Sequence, residues 1–305
     1  MGDSNVSSGS SSFTAGYSNK AGGVSSVALG SENQIDSNAN FSIVGGLSNL
    51  IKNSSYSAVV LGTRNNIDQS ANAMAVGTDN IIGSKASAYA SIALGSGNSI
   101  DSNYGAAIGL ENEIGQYSNS SFALGQNARI AGTGTGNEQN AYNSYALGYK
   151  ATVGYDSVDG TTVTGANSAY AIGSEALANG KYSYAIGYRA KAKAYGAIAI
   201  GSGIDVSKPY NTAIGSYNIA GLDASFAVGI GNDIDSRKNG LMVFNNGRAA
   251  IGSYSSVPSF NNGETLQVNG GALADKAYVT GINSEAGAAT DKLVVADASG
   301  QLKTI

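Results

Sequence analysis

The sequence predicts an all-β protein: a parallel β-solenoid wound in coils of 14 residues, followed by a small β-rich C-terminal module. Three observations carry this. One phrase recurs, as S-V-A-L-G-S-E-N-Q-I at 26–35, A-V-V-L-G-T-R-N-N-I at 58–67 and S-I-A-L-G-S-G-N-S-I at 91–100. Aligning the copies on their central glycine gives Gly2, Gly16, Gly30, Gly46, Gly62, Gly77, Gly95, Gly109, Gly125, Gly148, Gly173, Gly187, Gly201, Gly215 and Gly229. Their separations are 14, 14, 16, 16, 15, 18, 14, 16, 23, 25, 14, 14, 14 and 14 residues, a fixed step with tolerated insertions. That is how a stack of like coils reads, because each repeat contacts only its neighbours and can carry its own loop. Finally, the residues ahead of each glycine alternate in a two-residue period, the signature of a short strand.

Within a coil, position −3 is Val27, Ile92, Phe122, Tyr184 or Phe226, position −2 is mostly Ala, and position −1 is Leu29, Ile108, Ile172 or Val228. A strand that wants Ala at alternate sites lies close to another backbone. The pivot glycine then turns the chain where a Cβ would clash or where φ must be positive. Three residues later stands Asn in ten of the fifteen coils, including Asn33, Asn65, Asn98, Asn112 and Asn232. Asn tolerates the left-handed turn conformation, and in stacked coils its amides can form a hydrogen-bonded ladder. Position +5 is apolar again, as Ile35, Ile51, Ile67, Ile82, Ile100, Ile114, Ile130 and Ile234. Each coil therefore reads strand, turn, strand, turn. So thin a coil encloses little and leaves an apolar face exposed, which a closed homo-oligomer would hide.

Two coils carry long insertions, near 131–142 and 154–166. Since equivalent corners stack, both insertions are expected to leave the rod at neighbouring places. Loops on a rigid scaffold are where recognition concentrates. Residues 1–235 thus form the roll. Residues 236–271 form a transition segment with Asn245-Asn246-Gly247 as a hairpin turn between hydrophobic runs. Residues 272–305 read as a short helix or turn over 272–284, then a terminal hairpin around Ala298-Ser299-Gly300.

Composition bounds the chemistry. The chain has no His, Cys or Trp, only 12% charged residues and a formal charge of −4. It therefore has no disulfide, thiolate nucleophile or imidazole acid/base, and no basic footprint for nucleic acid. No run approaches the 18 or so apolar residues of a membrane helix, so no membrane insertion is expected. Gly132–Gly136 is glycine-rich but lacks the Lys-Ser/Thr and the βα setting of a phosphate loop. The pairs Asp156/Asp159 and Asp233/Asp235 have too few oxygen ligands for a calcium loop. We expect no metal, cofactor or catalytic residue.

The phrase S-x-A-φ-G-x-x-[N/A]-x-φ at this step resembles the head domain of YadA-like trimeric adhesins over about residues 2–235. The resemblance implies a left-handed parallel β-roll, a homotrimer and adhesive function. The module occurs in bacterial autotransporter adhesins and in phage tail or collar fibres. Residues 231–270, with R-K-N-G-L-M-V-F-N-N-G-R-A-A-I-G followed by Pro258 and L-Q-V-N-G, resemble a segment common after the roll in phage fibres. Ala250 and Ser255–Val257 depart from that pattern.

No signal peptide, heptad stalk or barrel anchor is read in the chain, which favours a phage fibre at the virion surface over a head fragment of a bacterial cell-surface adhesin. The chain starts in mid-repeat, so either a partner caps that end or the chain is part of something longer. Expected partners are two sister chains, other virion proteins at one end, and a host-surface glycan or protein. The expected receptor contacts are Asn137, Glu138, Gln139 and Asn140 in the first loop and Tyr155, Asp156 and Asp159 in the second, with Tyr149 and Tyr188 at the turn position +1. Tyr145, Tyr170 and Tyr184, at −3, read as packed strand residues, and Lys181, Arg189, Lys191 and Lys193 as a solvated edge that blocks sheet aggregation. The scattered acids leave a glycan-cleaving spike as the weakest alternative.

Overall fold

A computed structural model describes residues 2–132, 140–154, 165–260 and 265–269, together with the backbone of Val294–Ala296 and Leu302–Thr304. Two compact units result, Met1–Asn269 and Gly270–Ile305. The described residues are strands and turns, with no helix among them.

The first unit is a parallel solenoid. One sheet stacks fifteen parallel strands from Gly2–Asp3 to Ala224–Ile230, and a second stacks thirteen shorter ones from Val6–Ser7 to Asp205–Val206. Register follows the repeat alignment whatever lies between copies: Gly16 pairs with Gly30, Gly62 with Gly77, Gly95 with Gly109 and Gly201 with Gly215. The 23- and 25-residue spacings do not disturb it, since Phe122 pairs with Tyr145 and Tyr145 with Tyr170.

The two sheets face each other across a core one side chain thick. Position −2 (Ala28, Val44, Val60, Ala75, Ala93, Ala107) and position +5 (Ile35, Ile51, Ile67, Ile82, Ile100, Ile114) are fully buried. Ala meets Ile because the strands are too close for two large side chains, and interiors pack without voids. Ile234 departs from the pattern. It is 64% exposed, because after Gly229 the chain leaves the coil and no second-sheet strand receives it.

Each corner contains a left-handed residue, and some second corners a further one, as at Asn53 and Gln69. The recurrent ones lie at +2 (Ser18, Glu32, Ser48, Arg64, Asp79) and at −5 (Ser11, Ser25, Phe41, Ser57, Asn72), not at the Asn of +3. The +3 side chains instead form the ladder. From Asn5 to Asn112, eight asparagines bond in series; Asn33 Nδ2, for example, donates to Asn19 Oδ1 at 3.0 Å and to the Gly46 carbonyl at 2.8 Å. The pivot glycine sits at φ +114 to +125° through the early coils from Gly16 to Gly109. A Cβ on Gly62 would stand 2.0 Å from the Gly77 carbonyl oxygen, so both backbone conformation and stacking require glycine there.

Positions −3, −1 and +1 point outward from the first sheet, and Phe13, Leu29, Ile43, Leu61, Ile92, Leu124 and Ile200 leave an apolar stripe exposed along it. Tyr145, Tyr170 and Tyr184 lie on this outer face, not in the core. Their rings stack at 4.9 Å with interplanar angles of 6° and 3°.

Strand Ala224–Ile230 is followed by antiparallel Asn239–Phe244, which pairs with antiparallel Ala249–Tyr254; Leu266–Asn269 then adds in parallel. The tight turn between Phe244 and Arg248 has Gly247 at φ +81° and a Phe244 N–H bond to the Arg248 carbonyl of 2.8 Å. Arg237 donates to the carbonyls of Gly203 (2.9 Å) and Asn218 (3.0 Å), tying this segment to the last coils. In the second unit, Val294–Ala296 pairs antiparallel with Leu302–Thr304. The helix or turn expected over 272–284 lies outside the described residues.

Candidate binding groove

Side chains at +2 and +4 of successive coils line up along the first corner and the outer face of the second sheet. From the Gly109 coil to the Gly187 coil, the +2 row reads Glu111, Asn127, Lys150, Glu175, Arg189. The +4 row reads Glu113, Arg129, Thr152, Leu177, Lys191. These two rows, with Ala128 and Ala176 between them and Ile234 at one side, line a groove of about 820 Å³, within the range of ligand sites. Arg129 pairs with Glu113 at 3.1 Å and Arg189 with Glu175 at 2.7 Å. The hydrogen bond to Glu175 raises the Arg189 pKa above its ordinary value, and the charge of Glu175 adds to it.

Tyr149 and Tyr188, at +1 of two of these coils, directly precede the groove residues Lys150 and Arg189, at the edge where the outer face of the first sheet meets the corner, and are 43% and 44% exposed in the single chain. Each carries a cation: Lys150 Nζ is 5.1 Å from the Tyr149 ring centroid, and Arg189 Cζ is 5.0 Å from that of Tyr188. Such contacts help hold a ring in place. The two long insertions leave the stack from one corner, as the Ala131 N–H bonds to the Val153 carbonyl at 3.0 Å and the Gly154 N–H to that of Ala178 at 3.3 Å.

Of the expected loop contacts, Asn137, Glu138, Gln139, Tyr155, Asp156 and Asp159 lie outside the described residues. Asn140 is a correction: it is 3% exposed, because the chain there has already re-entered the stack, so its side chain is not available to a receptor. The supposed basic edge also divides. Arg189 and Lys191 line the groove, Lys193 pairs with Asp205 at 3.0 Å, and Lys181 sits 5.2 Å over Tyr182 at the opposite corner. Asp233 is occupied by its own turn, since its Oδ1 accepts from Asp235 N, Ser236 N and Ser236 Oγ. The bonds from Ser236 lower its pKa. Among the described residues no group of three or more His, Cys, Asp or Glu could hold a metal.

Sequence reading did not assemble this groove, although its signal was available: charged residues recur at +2 and +4 once coils are aligned. An aromatic row also stands at the opposite corner. There Tyr182, Tyr195 and Tyr210, on consecutive coils, make edge-on contacts at 5.6 and 5.2 Å.

The YadA head domain repeat matches residues 178–203 as two copies. These residues span the coils of Gly187 and Gly201, and their pattern recurs from Gly2 to Gly229. The chain thus carries YadA-like head repeats, an adhesin-type module of surface-exposed fibre proteins. No curated protein matches the chain.

Proposed function

We propose that this chain is the adhesive shaft of a homotrimeric phage fibre that attaches the virion to a host surface by many weak contacts. The apolar stripe on the first sheet carries the reading. Leu29, Leu61, Leu124 and Ile200 are exposed in a single chain at the same position of coils spread along the roll, and three parallel copies would bury such a stripe around an axis. The +2 and +4 rows of the groove and both loop roots lie off the face that carries that stripe, and three-fold repetition would multiply a modest site into avidity. The left-handed roll implied by the repeat suits this arrangement. The residues after Gly229, which resemble the segment following the roll in phage fibres, favour a virion over a bacterial cell.

The head of a bacterial trimeric adhesin is the second reading, and the matched repeat supports it equally. In both the chain binds without turning over a substrate. Purified protein should scatter light as three times the 30.5 kDa chain and compete with whole particles for host cells. A monomeric mass would refute the architecture, unhindered adsorption the attachment role, and release of oligosaccharide from host capsule the non-enzymatic reading.

A further inference from the structure

We propose that the groove between the +2 and +4 rows binds an acidic polysaccharide, with Lys150 and Lys191 taking its anionic groups and Tyr149 and Tyr188 stacking on its sugar rings. This rests on the adhesive reading above and names the ligand class of that surface.

The charge balance is the first argument. Four cations (Arg129, Lys150, Arg189, Lys191) and three carboxylates (Glu111, Glu113, Glu175) line the groove. Glu113 and Glu175 are each committed to an arginine. Beside the groove, Asp205 adjoins Lys191 in the sheet but bonds Lys193. Among the described residues neither Lys150 nor Lys191 has a carboxylate within 4.0 Å. Glu111 remains at the far end of the groove. The uncommitted charge at its centre and at the Gly187 end is therefore positive, and it sits on flexible ammonium groups suited to a point anion.

Shape is the second argument. The floor has the period of the coil, about 4.8 Å, and is closed by Ala128, Ala176 and the buried Leu177. It offers no deep hole for a peptide side chain. A long, shallow, half-apolar trough with ring faces beside it suits a chain of sugar rings, each presenting one apolar face and a rim of hydroxyls. Lys150 and Lys191 belong to coils two steps apart, roughly 10 Å along the rod. That is close to the span of a disaccharide, so one acidic group in every two sugars would meet both.

The test uses the intact trimer and titration calorimetry with defined probes: octasaccharides of hyaluronate and of heparin, a polygalacturonate hexamer, uncharged maltoheptaose and a glutamate octapeptide. Binding of at least one acidic glycan is expected, weakening as salt rises. Lys150→Gln with Lys191→Gln should weaken it at least about tenfold, the loss of charge-assisted bonds. Tyr149→Ala with Tyr188→Ala should do likewise, while the corresponding Phe variants retain affinity. Circular dichroism and light scattering check that the variants stay folded and trimeric.

Absence of binding to every acidic glycan, or binding unmoved by the lysine changes, overturns the proposal. Equal affinity for the glutamate peptide, indifferent to the tyrosines, would make it an acidic-peptide site and also overturn it. The two levels separate in a cell assay. Wild-type adsorption with no effect of the lysine variant sinks the glycan groove alone. No wild-type adsorption sinks the adhesive reading itself.

Discussion

Replacing Asn65 with Ala would cut the asparagine ladder in its middle. The Asn65 amide donates to Asn49 Oδ1 at 3.0 Å, to the Gly77 carbonyl at 2.8 Å and to that of Leu61 at 3.4 Å. Its Oδ1 accepts from Asn80 N–H at 3.1 Å and from Asn80 Nδ2 at 2.8 Å. In the alanine variant the Asn80 side chain keeps the carbonyls of Val76 and Gly95, but its buried backbone N–H loses its acceptor. An orphaned buried donor costs about 1–3 kcal/mol, and the two short bonds of the Asn65 amide about 1 kcal/mol net each, so the loss should reach about 3–5 kcal/mol. At 1.4 kcal/mol per decade, amides of the coils around Gly62 and Gly77 should exchange about 10² to 4 × 10³ times faster. Because repeats couple mainly to neighbours, coils beyond Gly109 should keep their protection. Asn65→Asp refines the test. It retains the acceptor for Asn80 N–H but sets a carboxylate against two carbonyls and Asn49 Oδ1. Its folded pKa would therefore be raised, and the variant should be steadier in acid, losing stability as pH rises through that pKa. Mass-spectrometric hydrogen exchange would read both. Wild-type protection at Asn80 in the alanine variant would refute the ladder as a source of stability.

Four further outcomes follow from the same geometry. Gly62→Ala places a Cβ 2.0 Å from the Gly77 carbonyl oxygen at φ +125°, and should cost on the order of 4 kcal/mol or prevent folding, read as soluble yield and melting temperature. Leu61→Asp lies on the outer stripe, so the coil should survive while light scattering shows the mass falling from trimer to monomer. Burial above all, then Tyr184 and Tyr145, raises the Tyr170 phenol above its usual pKa. Its contribution is therefore present below pH 10 and lost as pH rises through the raised value, so ultraviolet titration should show it ionising after the bulk of the tyrosines, and Tyr170→Phe should remove that late step. Arg237→Ala should free the Gly203 and Asn218 carbonyls and accelerate exchange in the last coils, with Asn65-region amides unchanged.

The roll was legible because its rules are local and repeated. Gly, Ala at −2 and Ile at +5 each answer to one steric demand, and fifteen copies average out every exception. What the sequence left hidden depends on contacts between coils. The recurrent left-handed residue of the first corner is at +2, where Glu32 and Arg64 carry no compositional mark of positive φ. Only the stacked backbone imposes it, through bonds such as Glu32 N–H to the Tyr17 carbonyl at 2.9 Å. Ile234 carried the right residue at the right offset, yet the antiparallel strand Asn239–Phe244 had already replaced the coil that would bury it. Asn140 looked like loop and is stack, since insertion boundaries depend on where the next strand finds its partner. The groove needed the alignment of five separate coils before its charges stood side by side.

The same alignment shows why the groove lies where it does. The asparagine ladder runs from Asn5 to Asn112, and its last amide accepts from the Ala128 N–H at 2.8 Å. From that coil on, position +3 is Ala128, Ala151, Ala176 and Ala190. In the next three of these coils the first-sheet strand stops short of the glycine, as Tyr145–Leu147, Tyr170–Ile172 and Tyr184–Ile186. Gly148 N–H then bonds to the Leu124 carbonyl and Gly173 N–H to that of Leu147. Alanine supplies no amide to lock the turn, but it makes the corner shallow and leaves the +2 and +4 side chains as the surface. Ala128 and Ala176 line the groove itself. A stretch that gives up a strong, repeated stabilising device while gaining exposed tyrosines and uncommitted lysines follows the pattern of a functional site set into a regular scaffold. Restoring the device tests that exchange: Ala151→Asn with Ala176→Asn should slow amide exchange in these coils and weaken acidic-glycan binding together. Tighter coils with unchanged binding would show that ladder and groove are independent.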